Sequence, residues 1–250
     1  MISRLPGLSL PERAWGVVRR WALAWWRILY LGAVVCVLVL SPSSYGKVTR
    51  RALARHLYLD TAPVLLGFTV LAALISLVLT RIVIVTAISY GLSRYALEMV
   101  IRVLVLELIP LTAALFVAMR CTIPNGTQLA LLRQSGHLAR LSHAGADPIR
   151  VELLPRAVAG VFACITLAAL SCVVALVLAY LGVYGFSLAG LPSYTRMFGH
   201  VFAPAVTLVF VIKTVLFSLA VALIPMAAGL YETGERTQPD SELGGLARMF

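Results

Sequence analysis

The sequence predicts an all-α membrane protein, a polytopic bundle of about four or five membrane helices. Of its 250 residues, 61% are hydrophobic and only 12% are charged, and the mean hydropathy is +0.95. Soluble domains carry about 25% charged residues, so this chain has too few to cover a globule in water. Apolar segments recur that approach or reach the roughly 20 residues that a helix needs to cross a bilayer.

The first apolar segment, Trp15 to Leu40, begins in a mixed aromatic and basic stretch, WGVVRRWALAWWRILYL, which holds all four tryptophans. Trp and Tyr favour the headgroup layer, and Arg favours anionic phosphates. The uninterrupted apolar part, Ile28 to Leu40, is short for a span. We therefore predict that residues 1–46 form an amphipathic interfacial elbow on the cytoplasmic leaflet, with a full membrane-spanning helix as the alternative.

The second segment follows a basic stretch, GKVTRRALARHLYLD, which we place on the cytoplasmic side because cations favour that end of membrane helices. It is apolar from Ala62 to Leu79, and apolar residues resume after Arg81. Either one long, tilted helix carries Arg81, or a short piece turns back at the far face.

The third segment, Tyr95 to Met119, contains three charges. Glu98 and Arg102 are four residues apart, so they can pair along one helix face, and we interpret them as a local structural pair. Glu107 lies about 140° further round the helix and should face another surface. Charges inside a membrane are costly and usually face protein or water.

The fourth segment runs from Ala157 to about Leu181, and a Gly/Pro-rich loop on the outer side follows it. The fifth, Val201 to Leu230, carries one charge, Lys213. This lysine either snorkels, pairs with a carboxylate or faces a cavity. For Glu107 two interpretations stay open: it lines a cavity or dimer interface, or it is a carboxyl near the cytoplasmic end, hydrogen-bonded to a neighbouring helix.

A polar connector, residues 121–156, separates the third and fourth segments, and its excess of arginine places it in the cytoplasm. Thr127 can cap a helix there, four leucines form a partial apolar stripe, and Gly145 and Pro148 can end it. We predict one short cytoplasmic helix, after which Pro155 begins the next membrane helix. The helix either docks on a partner, binds anionic headgroups or is an ordinary loop helix.

Several classes of function are excluded. The net charge of +11 does not predict nucleic-acid binding, because the cations flank apolar segments and form no clustered face. The scattered histidines and cysteines show no metal-ligand spacing, so we expect no metal and no cofactor, and we interpret the cysteines as small buried residues. We find no Gly-x-Ser-x-Gly or P-loop motif, so we do not expect an enzyme.

The order of these features resembles the MlaE/YrbE-type permeases, membrane subunits of ABC transporters that move phospholipids or other lipids. The resemblance covers roughly residues 47–231. It rests on ELIPLTAALFVAMR, on GADPIRVELLPRAVAGV and on IKTVLF. The family's Glu-Leu-Gly-Pro, Asp-Pro, Pro-Arg and Lys-Ser patterns match, in turn, residues 107–110, 147–148, 155–156 and 213–214.

The resemblance implies a homodimer in the cell inner membrane, with 47–231 as the permease domain and 232–250 as a polar tail. Its partners would be a cytoplasmic ABC ATPase, which hydrolyses the ATP, and a periplasmic MCE-type lipid-binding protein. Phospholipid would pass between the two copies, beside the buried polar residues Glu107, Lys213, Glu98 and Arg102. The connector would hold the coupling helix, which contacts the ATPase through Arg133, His137, Arg140, His143, Asp147 and Pro148.

The sequence also departs from the family pattern. Leu106 stands where the family has Arg, Ile109 replaces Gly, and SGH at 135–137 replaces a Thr-Glu-Gln run. The family has a further membrane helix after the fifth segment, so we expect a divergent and shortened member. Two rival functions follow: a transport-inactive membrane scaffold, and a proton-coupled transporter using Glu98 and Glu107, which the lack of inverted repeats disfavours.

Overall fold

The computed structural model describes residues 10–41, 47–91 and 93–231, and in this part of the chain it contains helices and no strands. Five helical stretches are long and apolar enough to cross a membrane, which confirms the predicted all-α polytopic bundle. The predicted polar tail lies outside the described residues. The helices are α1 (Leu10–Leu40), α2 (Lys47–Ser89), α3 (Ser93–Val100), α4 (Ile109–Val117), α5 (Ile123–Gln134), α6 (His137–His143), α7 (Leu154–Tyr184), α8 (Leu191–Val201) and α9 (Pro204–Tyr231).

Helices α3, α4 and α5 form one unbroken rod, which we call the long helix, because wider π-helical turns join them. These turns span Ile101–Leu108 and Ala118–Thr122, and a third, Ile149–Leu153, leads into α7. Each π turn ends two residues before a proline, namely Pro110, Pro124 or Pro155. Proline cannot donate to the carbonyl four residues earlier, and its ring clashes with that carbonyl, so the preceding turn widens.

The spans alternate in direction. Val64 and Phe68 near the start of α2 share a cluster with Ala163 and Cys164 of α7, and Thr80 of α2 lies against Gly182 further along, so α2 and α7 run parallel. The long helix runs the opposite way, because Cys121 near its end donates a hydrogen bond from Sγ to the Asp60 carbonyl of α2, at 3.2 Å. We call the end of the bundle that carries α6 the connector end.

Helix α7 is the centre of the bundle and contacts α2, α4 and α9. Its buried face consists mainly of small side chains, including Ala159, Gly160, Ala163, Ala168 and Ala175. In a membrane the hydrophobic effect gives little drive for helix association, so close backbone approach over small residues supplies much of the attraction. The cluster around Ala163 accordingly joins α2, α4 and α7 in the middle of the bundle.

Helix α1 is attached to the bundle along one stripe. Leu31, Val35 and Leu38 are buried against the end of α9 and the start of α7. The guanidinium of Arg27 lies 5.6 Å from the ring centre of Tyr231, the last residue of α9. Trp21 and Trp26 on α1 are exposed. Since Trp21–Leu40 is long and apolar enough to span, the structure leaves both interpretations of α1 open.

The structure decides one open alternative and corrects several local predictions. Helix α2 is continuous past Arg81, so the segment does not turn back. Residues 121–134 continue the long helix, and Gly136, with φ of 70°, separates them from α6, so the connector holds two helices where we predicted one. Thr127 is not a cap, because its hydroxyl donates to the Pro124 carbonyl. Cys36 is exposed, unlike the other three cysteines, which are buried as predicted.

The outer-side loop was also predicted wrongly, because its last residues belong to helix α8, which begins at Leu191. Tyr194, Met197 and Val201, at spacings of three and four residues, pack against α3 and α7 in one cluster. The Tyr194 hydroxyl donates to the Leu176 carbonyl at 2.9 Å. Burial raises the pKa of Tyr194 to about 12, so the phenol stays protonated and keeps donating.

A close helix crossing between α9 and the long helix generates a stability prediction. A Cβ on Gly229 of α9 would lie 2.3 Å from the Gly126 carbonyl oxygen on the long helix. We expect Gly229→Ala to destabilise the protein by about 1–3 kcal/mol, since a backbone atom must shift. Thermal unfolding of the purified protein in detergent measures this loss.

The matched control is Gly67→Ala in α2, where a Cβ meets nothing within 4 Å. There alanine should leave the melting temperature unchanged or raise it, because it favours helix over glycine by about 1 kcal/mol. Equal melting temperatures for the two variants would contradict the crossing.

Candidate functional site

Glu107 and Lys213, two of the predicted polar-path residues, form an ion pair between the long helix and α9. The Lys213 Nζ donates to the Glu107 carboxylate and also to the Leu106 carbonyl, at 3.4 Å. The lysine side chain is 23% exposed and the glutamate 65%. Lys213 therefore pairs with a carboxylate, which was one of its three open interpretations.

Pro110 explains why a lysine fits at this point. In an α-helix the Leu106 carbonyl would accept from the N–H of residue 110, and proline has none. An unpaired carbonyl is costly where lipid replaces water. Lys213 supplies a donor to this carbonyl and a counter-charge to Glu107, so one side chain satisfies two polar groups.

One interpretation placed Glu107 near the cytoplasmic end. The structure instead places it within the apolar part of the long helix, away from the connector end. Arg120, the next charged residue along this helix, is about 20 Å further on at 1.5 Å per residue. An apolar groove of about 190 Å³ lies beside this region, between α2 and the long helix. Phe68, Ile75, Leu104 and Leu108 are among its lining residues.

Glu98 and Arg102 form the predicted local pair, with 2.9 Å between the Glu98 Oε1 and Arg102 Nη2 atoms. Both lie near the start of the long helix, and Arg102 is 45% exposed. Neither has a described contact with Glu107 or Lys213, so the structure does not bring the four polar-path residues together in one site.

A second polar cluster occupies the connector end and is centred on Arg156. Its Nη2 lies 2.9 Å from the Glu152 Oε2, and the side chain is only 8% exposed. The other carboxylate oxygen, Oε1, faces the His137 Nε2 on α6 at 3.8 Å. Two further guanidinium nitrogens, Nε and Nη1, are buried and have no acceptor among the described residues. Of these three residues, only His137 was predicted as a site residue.

The second part of this cluster joins α2 to the long helix. The Asn125 side-chain amide donates to the Asp60 carboxylate at 3.0 Å, and Asn125 is buried. Sequence reasoning missed both residues. The only signal for Asp60 was an acidic residue closing a basic stretch, and Asn125 stood in the turn-like motif Pro-Asn-Gly.

The other predicted coupling residues lie on the outer surface of the connector. Arg133, Arg140 and His143 are exposed, and Pro148 is half-buried. The Asp147 Oδ1 accepts from the Ile149 N–H at 3.0 Å, and Oδ2 lies 3.5 Å from the Arg150 Nε. Asp147 therefore holds the turn that leads from α6 into the π turn before α7. Within the described ranges, no group of histidine, cysteine and acidic side chains could hold a metal ion.

These observations define a class, a multi-pass membrane protein whose ionisable groups pair across helices inside an apolar bundle. A family model, the permease MlaE, matches residues 53–240, most of the chain. The chain therefore belongs to the MlaE permease family, as the motifs predicted. Membership of this family makes it an ABC transporter permease subunit. A comparison with curated proteins found no match.

The ion pair between the helices generates a charge-exchange prediction. Glu107→Lys or Lys213→Glu alone places like charges together in an apolar setting and should cost about 1–3 kcal/mol. The double variant restores opposite charges and should recover most of the loss. Thermal unfolding in detergent measures all three variants.

The control exchanges Glu98 and Arg102 in the same way. A pair within one helix at this exposure contributes only about 0.3–0.5 kcal/mol, so each single change should have a small effect. A double variant at Glu107 and Lys213 that is as unstable as its worse single variant would show that the two side chains do not stabilise each other.

The buried Arg156 generates a second prediction. Glu152→Gln removes its counter-charge and should destabilise the protein by about 3 kcal/mol, since a buried charge is left without a partner. Asp147→Asn is the matched control, because Asp147 and Arg150 are both nearly half exposed and such a pair contributes about 0–1 kcal/mol. Chemical or thermal unfolding with comparable losses for both variants would contradict this assignment.

Proposed function

We propose that this chain moves phospholipid or a related lipid between the inner membrane and a periplasmic MCE-type carrier, driven by a separate cytoplasmic ATPase. Residues 47–231 would be the permease domain, preceded by an interfacial elbow (1–46) and followed by a polar tail (232–250). Two copies would form a homodimer with the lipid path between them.

The Glu107–Lys213 pair is the observation that carries this proposal. Glu107 is 65% exposed although it lies on an apolar stretch of a membrane helix. An exposed carboxylate at membrane depth needs protein, water or a polar ligand beside it. A second copy covering this face would enclose the pair. The pair could then contact a lipid headgroup while acyl chains occupy the neighbouring apolar groove.

The connector supports docking on an ATPase. It presents the exposed arginines Arg133 and Arg140 on α5 and α6, while the adjoining turn is held by Asp147. We find no P-loop in the chain, so the energy source would be another subunit. A basic, water-exposed helix anchored at both ends can transmit a partner's motion to the long helix and α7.

The test uses the full chain in nanodiscs and a purified candidate ABC ATPase from the same organism. Wild type should bind the ATPase, carry co-purifying phospholipid and stimulate ATP hydrolysis. The double variant Arg133→Glu, Arg140→Glu should lower the affinity for the ATPase by about tenfold or more, because it reverses two charges at the contact. Arg196→Glu on α8, at the opposite end, is the control and should bind normally.

Each outcome bears on a different part of the proposal. Unchanged binding by the double variant would argue against docking through the connector. ATPase binding without stimulation, and without lipid transfer to a carrier, would assign the chain as a scaffold. A tag at Gly145 that is reachable only from outside the cell would place the connector on the wrong side and overturn the proposal.

A further inference from the structure

Arg156 borders a groove that the proposed lipid path does not use. The groove has a volume of about 390 Å³ and lies at the connector end. Its lining residues are Gln128, Leu131, Leu132, Ser135 and Arg156. The first four follow the i, i+3, i+4, i+7 spacing of one helix face, so the groove runs along the last two turns of α5.

Arg156 has donor capacity that the described residues leave unused. A guanidinium carries five N–H groups, and here Glu152 takes only Nη2, while Nε and Nη1 are buried and unpartnered. Burying such groups without acceptors is costly. Arg156 is only 7% exposed as a residue, so bulk water reaches it poorly. An acceptor arriving through the groove would satisfy it.

The position of the groove along the membrane normal indicates that its ligand is a soluble molecule and not a lipid headgroup. Arg120 is the first charge on the long helix after the apolar stretch, and Gln128 lies about 12 Å further along the axis. The headgroup layer adds only about 5–8 Å to each side of the hydrocarbon core. The groove therefore opens mostly into water, next to α6.

The charges and apolar side chains around the groove indicate the chemical class of the ligand. The connector carries Arg133, Arg140, Arg150 and Arg156 against two acidic residues, Asp147 and Glu152, which favours an acidic partner. Nε and Nη1 point to different edges of the guanidinium, so a carboxylate can accept one charge-assisted hydrogen bond from Nη1. Leu131, 63% exposed, offers an apolar contact beside it.

We propose that this groove is a docking site for an acidic side chain of the ATPase subunit, with Arg156 as its buried anchor. The inference rests on the proposed function, because it needs an ATPase partner. The carboxylate would accept from Nη1, which is buried in this structure and would be uncovered when the partner binds. A partner bound there would be linked through Glu152 and His137 to α6, so one contact would grip both helices of the connector.

The first experiment is a photo-crosslink with the full chain in nanodiscs and the same purified candidate ATPase. Benzoylphenylalanine is placed at Ser135 in the groove and, in a second sample, at Ser142 on α6. We expect both to crosslink to the ATPase, and the peptide captured from Ser135 to contain Asp or Glu. Capture of lipid from Ser135, or capture from Ser142 only, would overturn the groove site while leaving ATPase coupling intact. If neither position captures the ATPase and the ATPase does not bind, both the groove site and the proposed ATPase coupling would be overturned.

The second experiment removes the guanidinium donors of Arg156 and keeps the positive charge. Arg156→Lys retains a cation for Glu152, so the protein should fold, but it should bind the ATPase about tenfold more weakly, because the hydrogen bond from Nη1 is lost. Arg196→Lys is the matched control and should bind like wild type. Unchanged affinity of Arg156→Lys would contradict the proposal.

A third variant covers the case in which Arg156→Lys misfolds. Gln128→Trp fills the groove without touching the ion pair, and Thr127→Trp, exposed on another face of α5, is its control. We expect weaker ATPase binding from the first only. Equal affinities would contradict the docking site.

Discussion

The structure depends on one constraint, that no water is available inside the hydrocarbon to satisfy a free carbonyl or a charge. Proline creates such a deficit wherever it enters a membrane helix. Pro110 withholds its donor from the Leu106 carbonyl, and Lys213 from another helix makes up for it. The lysine must then be neutralised, and Glu107, next in sequence to Leu106, does so. The polar contact between the long helix and α9 follows from this chain of requirements.

The same constraint separates the molecule into two regimes. In the middle, α7 presents alanines, glycine and cysteine, and the neighbouring helices approach closely enough for packing alone to hold them. At the connector end, near water, four elements meet through polar groups: Asp60 with Asn125, and Glu152 with Arg156 and His137. Desolvation of polar groups costs less free energy there than inside the hydrocarbon. The polar pairs therefore form, and they give the connector a defined position on the bundle.

Local patterns were enough to predict the helical bundle, the Glu98–Arg102 pair and the family. Each of these depends on residues within a few positions or on a short motif. The pairs that build the site join distant residues, 106 apart for Glu107 and Lys213 and 65 apart for Asp60 and Asn125. The periodicity of apolar residues along a sequence does not show which distant residues pair. Helix α8 was missed for another reason: the Gly/Pro-rich stretch around its start indicates a loop, yet Pro192 lies in the first turn, where a helix tolerates proline.

The contacts between the long helix and α9 differ in how much movement they allow. At the connector end, Gly126 and Gly229 bring backbone against backbone, and even one methyl group does not fit between them. Further along, the same helices are joined by the flexible side chains of Glu107 and Lys213, and the glutamate is largely exposed. The glycine crossing resists separation, whereas an exposed ion pair can lengthen or exchange partners at low cost. Any parting of these helices would therefore begin at the charged pair, where the proposed lipid path lies, and would pivot at the end that carries the connector.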